Sequence, residues 1–223
     1  MHRMNGPERR LAAILSADAV GYSRLMAGDE DATIRAITAR REQVELQVRQ
    51  HRGRLVDFTG DNFLVEFASA VDALECAVET QRVVAALNTD LSPERKLEFR
   101  MGLHLGEVRA QEGRLFGTGV NLASRLEPLA EPGGICVSAE MHREVSGRTR
   151  FAFRDLGEQT VKKMPEPVHA YAVELPEATA ALPTRRRGWP SAAGIVSLVG
   201  LVAAGWWLLR ETTAPVAERE PLT

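Results

Sequence analysis

The sequence has little cysteine, no marked excess of charge of either sign and no internal repeat, and each absence excludes a class of protein. Its 223 residues include only Cys76 and Cys136, which excludes a disulfide-stapled scaffold and a four-thiolate zinc site. Lysine plus arginine (28) nearly balances aspartate plus glutamate (30), so we expect no nucleic-acid partner. Asp18 interrupts the first apolar run, and we therefore expect no cleavable secretory signal.

One long apolar segment is present, at residues 189–209. Its 21 residues carry no charge, and a helix of that length covers about 30 Å, the thickness of the hydrocarbon core of a bilayer. We predict a single transmembrane helix here, preceded by a linker over 175–188 and followed by a short extracytoplasmic tail over 210–223. Arginines at 185–187 precede the segment, which predicts a single-pass protein of the cell inner membrane with residues 1–188, and thus the domain before the linker, in the cytoplasm.

The first 174 residues alternate short apolar strands with amphipathic helices. The patterns predict a helix over residues 30–51, helices that begin after Ser69 and near Val120, and strands over 11–17, 54–58, 63–67, 97–108, 134–138, 151–153 and 168–173. The order β-α-β-β-α-β predicts an α+β fold, a ferredoxin-like sheet with additional strands. In the helix over 30–51, the spacing predicts a buried stripe of Ile34, Ile37, Val44 and Val48.

Two aspartates lie where they could bring chemistry to one edge of this sheet. Asp18 ends the first strand, and Asp61 lies in the turn between the second and third strands. Either residue alone is most simply a turn aspartate with local hydrogen bonds. If the first strand lies beside the hairpin, both carboxylates meet at one edge, where they would suit Mg²⁺ ions bound together with substrate phosphates.

Asn121 and Arg125 are four residues apart in the helix predicted near Val120, so they share one face. An asparagine can orient a ribose oxygen, and an arginine at this spacing can reach charge that develops on a phosphorus centre. Such pairs also occur on ordinary solvated helix faces, so the spacing alone leaves a structural interpretation open.

These residues stand in strings that resemble the catalytic domain of class III nucleotidyl cyclases, of the bacterial group that is often joined to a membrane helix. The strings are SADAVGYS (16–23), TGDNFLVEF (59–67), GLHLGEV (102–108), FGTGVNLASRLE (116–127) and EPGGICVS (131–138). They occur in the family's order and spacing, and the resemblance covers roughly residues 9–174. It implies a domain that converts ATP to 3′,5′-cyclic AMP and pyrophosphate.

The resemblance also implies a role for individual residues. Asp18 and Asp61 match the aspartates that bind two Mg²⁺ or Mn²⁺ ions, and the backbone carbonyl of Ala19 would add a ligand. Tyr22 and Ser23 fall in the turn that binds the triphosphate.

The remaining functional positions of the family lie further along the chain. Asn121 matches the ribose-orienting asparagine and Arg125 the transition-state arginine. Lys162 is the best match to the phosphate-binding lysine, with Lys163 as the alternative. Family members work as dimers in which one subunit supplies the metal aspartates and the other the asparagine and arginine, so a homodimer is expected.

The two positions that select the purine depart from the adenylate cyclase pattern. Asp57 replaces the usual lysine, and Arg114 replaces the usual aspartate or threonine. An Asp–Arg pair could keep a salt bridge across the interface, but a carboxylate only accepts hydrogen bonds and suits guanine better than adenine. The resemblance therefore leaves three possibilities: an adenylate cyclase with relaxed base recognition, a guanylate cyclase, or an impaired module that dimerises or binds nucleotide.

Overall fold

The structure is a computed structural model that describes residues 8–111, 113–162, 164 and 166–175. The predicted transmembrane helix and tail, and all but the first residue of the predicted linker, lie outside these ranges. Among the residues that are described, no helix has the length and apolar character needed to cross a membrane.

The described residues form eight strands and five α-helices. The strands are β1 (Glu8–Ala19), β2 (Arg54–Thr59), β3 (Asn62–Phe67), β4 (Phe99–Gln111), β5 (Arg114–Phe116), β6 (Ile135–Ser138), β7 (Ala152–Gln159) and β8 (Val168–Glu174). The α-helices are α1 (Tyr22–Gly28), α2 (Glu30–Gln50), α3 (Ala70–Leu87), α4 (Thr118–Leu126) and α5 (Ala139–Val145), and short 3₁₀ turns cover Pro93–Arg95 and Glu127–Leu129.

All eight strands belong to one sheet. Its order is β2-β3-β1-β4-β6-β8-β7, with β5 paired to the end of β4. The first four strands stand in the order β2-β3-β1-β4, with α2 between β1 and β2 along the chain and α3 between β3 and β4. This is the βαββαβ arrangement that the sequence predicted, and β5 to β8 are the additional strands.

The two faces of the sheet pack against different helices. Alternate residues of β1, including Ala13 and Leu15, join the main core with α2 and α3, whereas Ala12 and Ile14 pack on the other face with Ala123 of α4. Since side chains alternate along a strand, Ser16 and Asp18 project to the face that α4 covers.

The buried stripe of α2 differs from the prediction at one position. Ile34 is 44% exposed, and Arg40 is buried in the same helix. The Arg40 guanidinium donates to Asn88 Oδ1 at 2.6 Å and to the Ala36 carbonyl. These bonds hold the Arg40 cation in a core position, and Ile37, Val44 and Val48 are buried as predicted.

Candidate active site

The end of β1 and the β2–β3 turn bring Asp18 and Asp61 side by side. Gly60 takes the left-handed backbone conformation (φ 62°) that this tight turn needs. The Ala19 N–H donates to the Asp61 carbonyl at 3.1 Å, and Asp18 lies opposite Asn62 in the register of β1 with β3. The structure thus has the juxtaposition that the sequence predicted, while the metal-binding role of these residues stays a prediction.

The electrostatics of this pair suit a divalent cation. Burial raises the pKa of Asp18, the neighbouring Asp61 charge raises it further, and Arg100 and the Ala19 N–H partly oppose the shift. No cluster of three or more potential ligand side chains occurs in the described ranges. Two carboxylates held together fit Mg²⁺ or Mn²⁺ that takes its other ligands from backbone, substrate and water.

Arg100 is a further candidate site residue that the sequence analysis did not single out. It lies on β4 directly opposite Asp18, and its buried Nε has no hydrogen-bond partner in the structure. An unpartnered buried donor beside two carboxylates would suit a phosphate oxygen. The available signal was a charged residue between Phe99 and Met101, two buried residues of an apolar strand.

Tyr22 and Ser23 begin α1, directly after Gly21, whose φ is 70°. The Tyr22 side chain packs against the main core, and Ser23 is exposed. The N–H groups of a first helical turn have no partner within the helix. The turn therefore offers backbone donors close to the aspartate pair.

Asn121 and Arg125 lie on α4, and Arg125 is hydrogen-bonded to the backbone of both Asn121 and Lys162. The Arg125 Nη1 donates to the Asn121 carbonyl at 2.9 Å, and its Nε donates to the Lys162 carbonyl. Arg125 and Lys162 also line one cavity of about 490 Å³. The structure therefore brings the predicted transition-state arginine and the predicted phosphate-binding lysine together, while Lys163 lies outside the described residues.

The hydrogen bonds that Arg125 donates go to Asn121 and Lys162 and not to the aspartate pair. In the part of the chain that is described, neither Asn121 nor Arg125 donates a hydrogen bond to Asp18 or Asp61. The charged residues that shift the pKa of Asp18 are Asp61 and Arg100. We call the aspartate pair and the Asn–Arg pair the two half-sites of the chain.

Asp57 and Arg114 lie on neighbouring elements of the same chain. Both are exposed, and Asp57 accepts a hydrogen bond from the Thr59 hydroxyl at 2.8 Å. Arg54 Nη1 donates to the Gly113 carbonyl at 3.0 Å, which holds the start of β2 beside the β4–β5 turn. Within the described ranges no salt bridge joins Asp57 to Arg114.

Comparison with known proteins points to one family. A family model described as the adenylate and guanylate cyclase catalytic domain matches residues 7–174. "Putative adenylate cyclase 3" of Rhizobium meliloti (strain 1021) is 49% identical over 164 residues, which are 73% of this chain and 28% of that protein. "Adenylate cyclase" of Streptomyces coelicolor is 34% identical over 146 residues, 65% of this chain and 36% of the relative. The chain thus matches only a minor part of the length of these relatives.

Solved structures agree with the sequence matches. The crystal structure of an adenylate/guanylate cyclase/hydrolase from Silicibacter pomeroyi has a TM-score of 0.71 and 39% identity, and the match covers 77% of this chain and 100% of that one. The adenylyl cyclase CyaB from P. aeruginosa has a TM-score of 0.68 at 23% identity, with 79% and 100% covered. The second likeness concerns the fold alone.

Proposed function

The chain belongs to the family of adenylate and guanylate cyclase catalytic domains, and we propose that it converts ATP to 3′,5′-cyclic AMP and pyrophosphate at the interface of a homodimer. The observation that carries this proposal is the pairing of Asp18 with Asp61 beside Arg100, whose buried Nε has no hydrogen-bond partner. Adenylate cyclase is also the activity named for the Rhizobium and Streptomyces relatives.

The residues of the first half-site bind the phosphate end of the substrate. Asp18, Asp61 and the Ala19 carbonyl would hold two Mg²⁺ or Mn²⁺ ions, which when bound lower the pKa of the ribose 3′-hydroxyl and neutralise phosphate charge. Arg100 and the backbone N–H groups at Tyr22 and Ser23 bind the triphosphate oxygens. Together they fix the phosphate chain against the end of the sheet.

The residues of the second half-site act on the ribose and on the reacting phosphorus. Asn121 orients the ribose so that its 3′-oxygen is in line with the α-phosphorus and the departing pyrophosphate. Arg125 stabilises the negative charge that grows on the α-phosphate oxygens, and Lys162 neutralises the leaving group. To do so, Arg125 must exchange its hydrogen bonds to the Asn121 and Lys162 carbonyls for bonds to substrate.

The separation of the half-sites supports a dimer with two shared sites. Arg125 points to the carbonyls of its own chain and can meet an aspartate pair only if a second chain brings one. In a two-fold symmetric dimer the same contact occurs twice. Each chain then supplies the aspartates of one site and the Asn–Arg pair of the other.

Guanylate cyclase is the second candidate, and Asp57 is the observation that favours it. Its exposed carboxylate accepts hydrogen bonds, and guanine presents N1–H and N2–H₂ donors where adenine presents the N1 acceptor. The non-catalytic alternative is a domain that dimerises or binds nucleotide without turnover.

The test is cyclase activity of the purified full chain with Mn²⁺ and either ATP or GTP. We expect cyclic AMP from ATP, and the substitution Asp61→Asn should lower turnover by at least about 100-fold, since even outer-shell changes at metal sites cost up to that much. Asp90→Asn, in an exposed loop, is the matched control. A preference for GTP would favour the second candidate, and no product from either nucleotide would favour the non-catalytic alternative.

We also propose that residues 189–209 anchor the chain in the cell inner membrane, with the catalytic domain in the cytoplasm. The proposal rests on 21 uncharged residues that follow three arginines. Cell fractionation tests it: the chain should stay with membranes in high salt and be released by detergent. Release by salt alone would contradict an integral anchor.

A further inference from the structure

A third carboxyl group lies close to the aspartate pair and has no place in the mechanism above. Glu127 directly follows α4 and is 8% exposed. Burial raises its pKa to about 7, the Asp18 charge adds to the shift, and a hydrogen bond with Ser16 opposes it. A buried carboxylate without a cationic partner is costly, so its presence calls for a physical reason.

The close packing of α4 on β4 brings Glu127 to this position. A Cβ added to Gly102 would lie 2.2 Å from the Ala123 carbonyl oxygen and 2.8 Å from the Glu127 nitrogen. The helix end thus rests directly on the bare backbone of β4. Gly102 is the register partner of Ser16 on β1, so the end of α4 lies beside the strand residue whose hydroxyl interacts with the Glu127 carboxyl.

Ser16 and Asp18 are two residues apart on β1 and share the face that α4 covers. On the helix side of the contact, Glu127 follows Arg125 by two residues. One buried side chain therefore ties the strand end that carries Asp18 to the helix end that carries Arg125. Within one chain, these two ends belong to different half-sites.

We infer that Glu127 is a positioning residue that fixes the end of β1 against the end of α4 and thereby couples the two active sites of the dimer. The inference rests on the proposed function, because only in a dimer with shared sites do Asp18 and Arg125 of one chain serve different substrates. A displacement of β1 in one site is then transmitted through Glu127 to the arginine of the other site.

A mixed dimer with a single working site separates the two ends of the link. One full-length chain carries Asp61→Asn and its partner carries Arg125→Ala, so the intact site combines the aspartates of the second chain with the arginine of the first. Glu127→Gln, which keeps the size and an acceptor oxygen, is then placed in either chain. Glu131→Gln, an exposed position four residues on, is the matched control.

We expect an effect in both arms, and a different one in each. Glu127→Gln in the chain that supplies the aspartates should raise the Mn²⁺ concentration for half-maximal activity by about tenfold, the usual scale for outer-shell partners of a metal site. In the chain that supplies Arg125 it should lower kcat by about tenfold with KM for ATP unchanged. The Glu131→Gln dimers should match the parent.

The outcomes distinguish the inference from the function on which it rests. An effect in only one arm, or in neither, overturns the coupling. An inactive wild-type chain instead overturns the proposed cyclase activity. If Glu127→Gln chains fail to fold, Ser16→Ala is used in their place, because it removes the hydroxyl on β1 that interacts with Glu127. Ser16→Ala should then also raise the Mn²⁺ concentration for half-maximal activity. An unchanged Mn²⁺ requirement in that variant overturns the inference.

Discussion

Asp18 interacts with two other carboxyl groups, that of Asp61 in the β2–β3 turn and that of Glu127 at the end of α4. The pKa of Asp18 and that of Glu127 are both raised, and burial is the largest cause for each. For Glu127 the shift is from 4.5 to about 7. A carboxyl group that holds its proton more tightly in the folded chain than in the unfolded chain destabilises the fold when it ionises.

This shift predicts a stability that falls as pH rises. Below pH 4.5 Glu127 is protonated in both states and costs nothing, between pH 4.5 and about 7 the folded chain retains a proton that the unfolded chain has lost, and above 7 the full cost is present. The cost is at most about 3 kcal/mol. Glu127→Gln should therefore raise Tm at pH 8 and leave it nearly unchanged at pH 4.5.

The measurement is thermal unfolding in the presence of a chelator, so that bound metal does not change the charge at Asp18. Glu131→Gln again serves as the control and should show no pH-dependent gain. A Glu127→Gln chain that is more stable and less active than the wild type would show that Glu127 positions the site, because loss of a residue that only packs would lower stability as well. A Glu127→Gln chain that is less stable at pH 8 would contradict this account of the carboxyl group.

Several site residues could be found from the sequence, and two could not. Asp18 and Asp61 follow strand and turn patterns, and Asn121 and Arg125 follow helical spacing, so local rules and the family resemblance find them. Arg100 and Glu127 gain their significance only from tertiary packing: the first from its register opposite Asp18, the second from the contact of α4 with Gly102. Each contact joins two elements that are distant in the sequence, so no local pattern predicts it.

The contact of α4 with β4 depends on a glycine. Gly102 leaves the space in which the Ala123 carbonyl and the Glu127 nitrogen lie. Those neighbours are backbone atoms, which cannot swing aside as a side chain can. The position of α4, and with it that of Asn121 and Arg125, is therefore set by the absence of a side chain on β4.

Gly102→Ala should displace α4 and impair both stability and catalysis. Overpacking of this kind typically costs about 1–3 kcal/mol, and the shift would move Arg125 away from its working position. Urea unfolding and the cyclase assay measure the two effects. Gly28→Ala, at the end of α1 with no atom within 4 Å of the added Cβ, should leave both nearly unchanged; equal behaviour of the two variants would contradict the packing argument.

The long elements and several short strands were predicted, whereas β5 and α5 were not. The helix predicted over 30–51 is α2, and the hairpin around Gly60 is present. β5 has three residues and α5 has seven, too few for periodicity to register. In α2 three of the four residues of the predicted stripe are buried. The core position of Arg40 could not be predicted, because its partner Asn88 is 48 residues away in the sequence.

Over the whole molecule, the proposed dimer assigns to one chain two halves of different active sites. Activity would then depend on association, since neither the aspartate pair nor the Asn–Arg pair would be complete alone. We expect the specific activity of the full chain to fall on dilution through the range in which the dimer dissociates. Sedimentation over the same concentrations should give a matching loss of dimer, and constant specific activity in a fully monomeric sample would contradict shared sites.

The pairing of β1 with β4 has a consequence for how the chain is made. β1 pairs with β4 from Glu8 opposite Ala110 to Ala19 opposite Phe99, so these partners are 80 to 102 residues apart in the sequence. During synthesis the first strand emerges long before its neighbour, with apolar side chains and unpaired amide groups that favour aggregation. The high contact order predicts slow folding. A nascent chain that stops before Phe99 therefore leaves the β4 edge of its first strand unpaired.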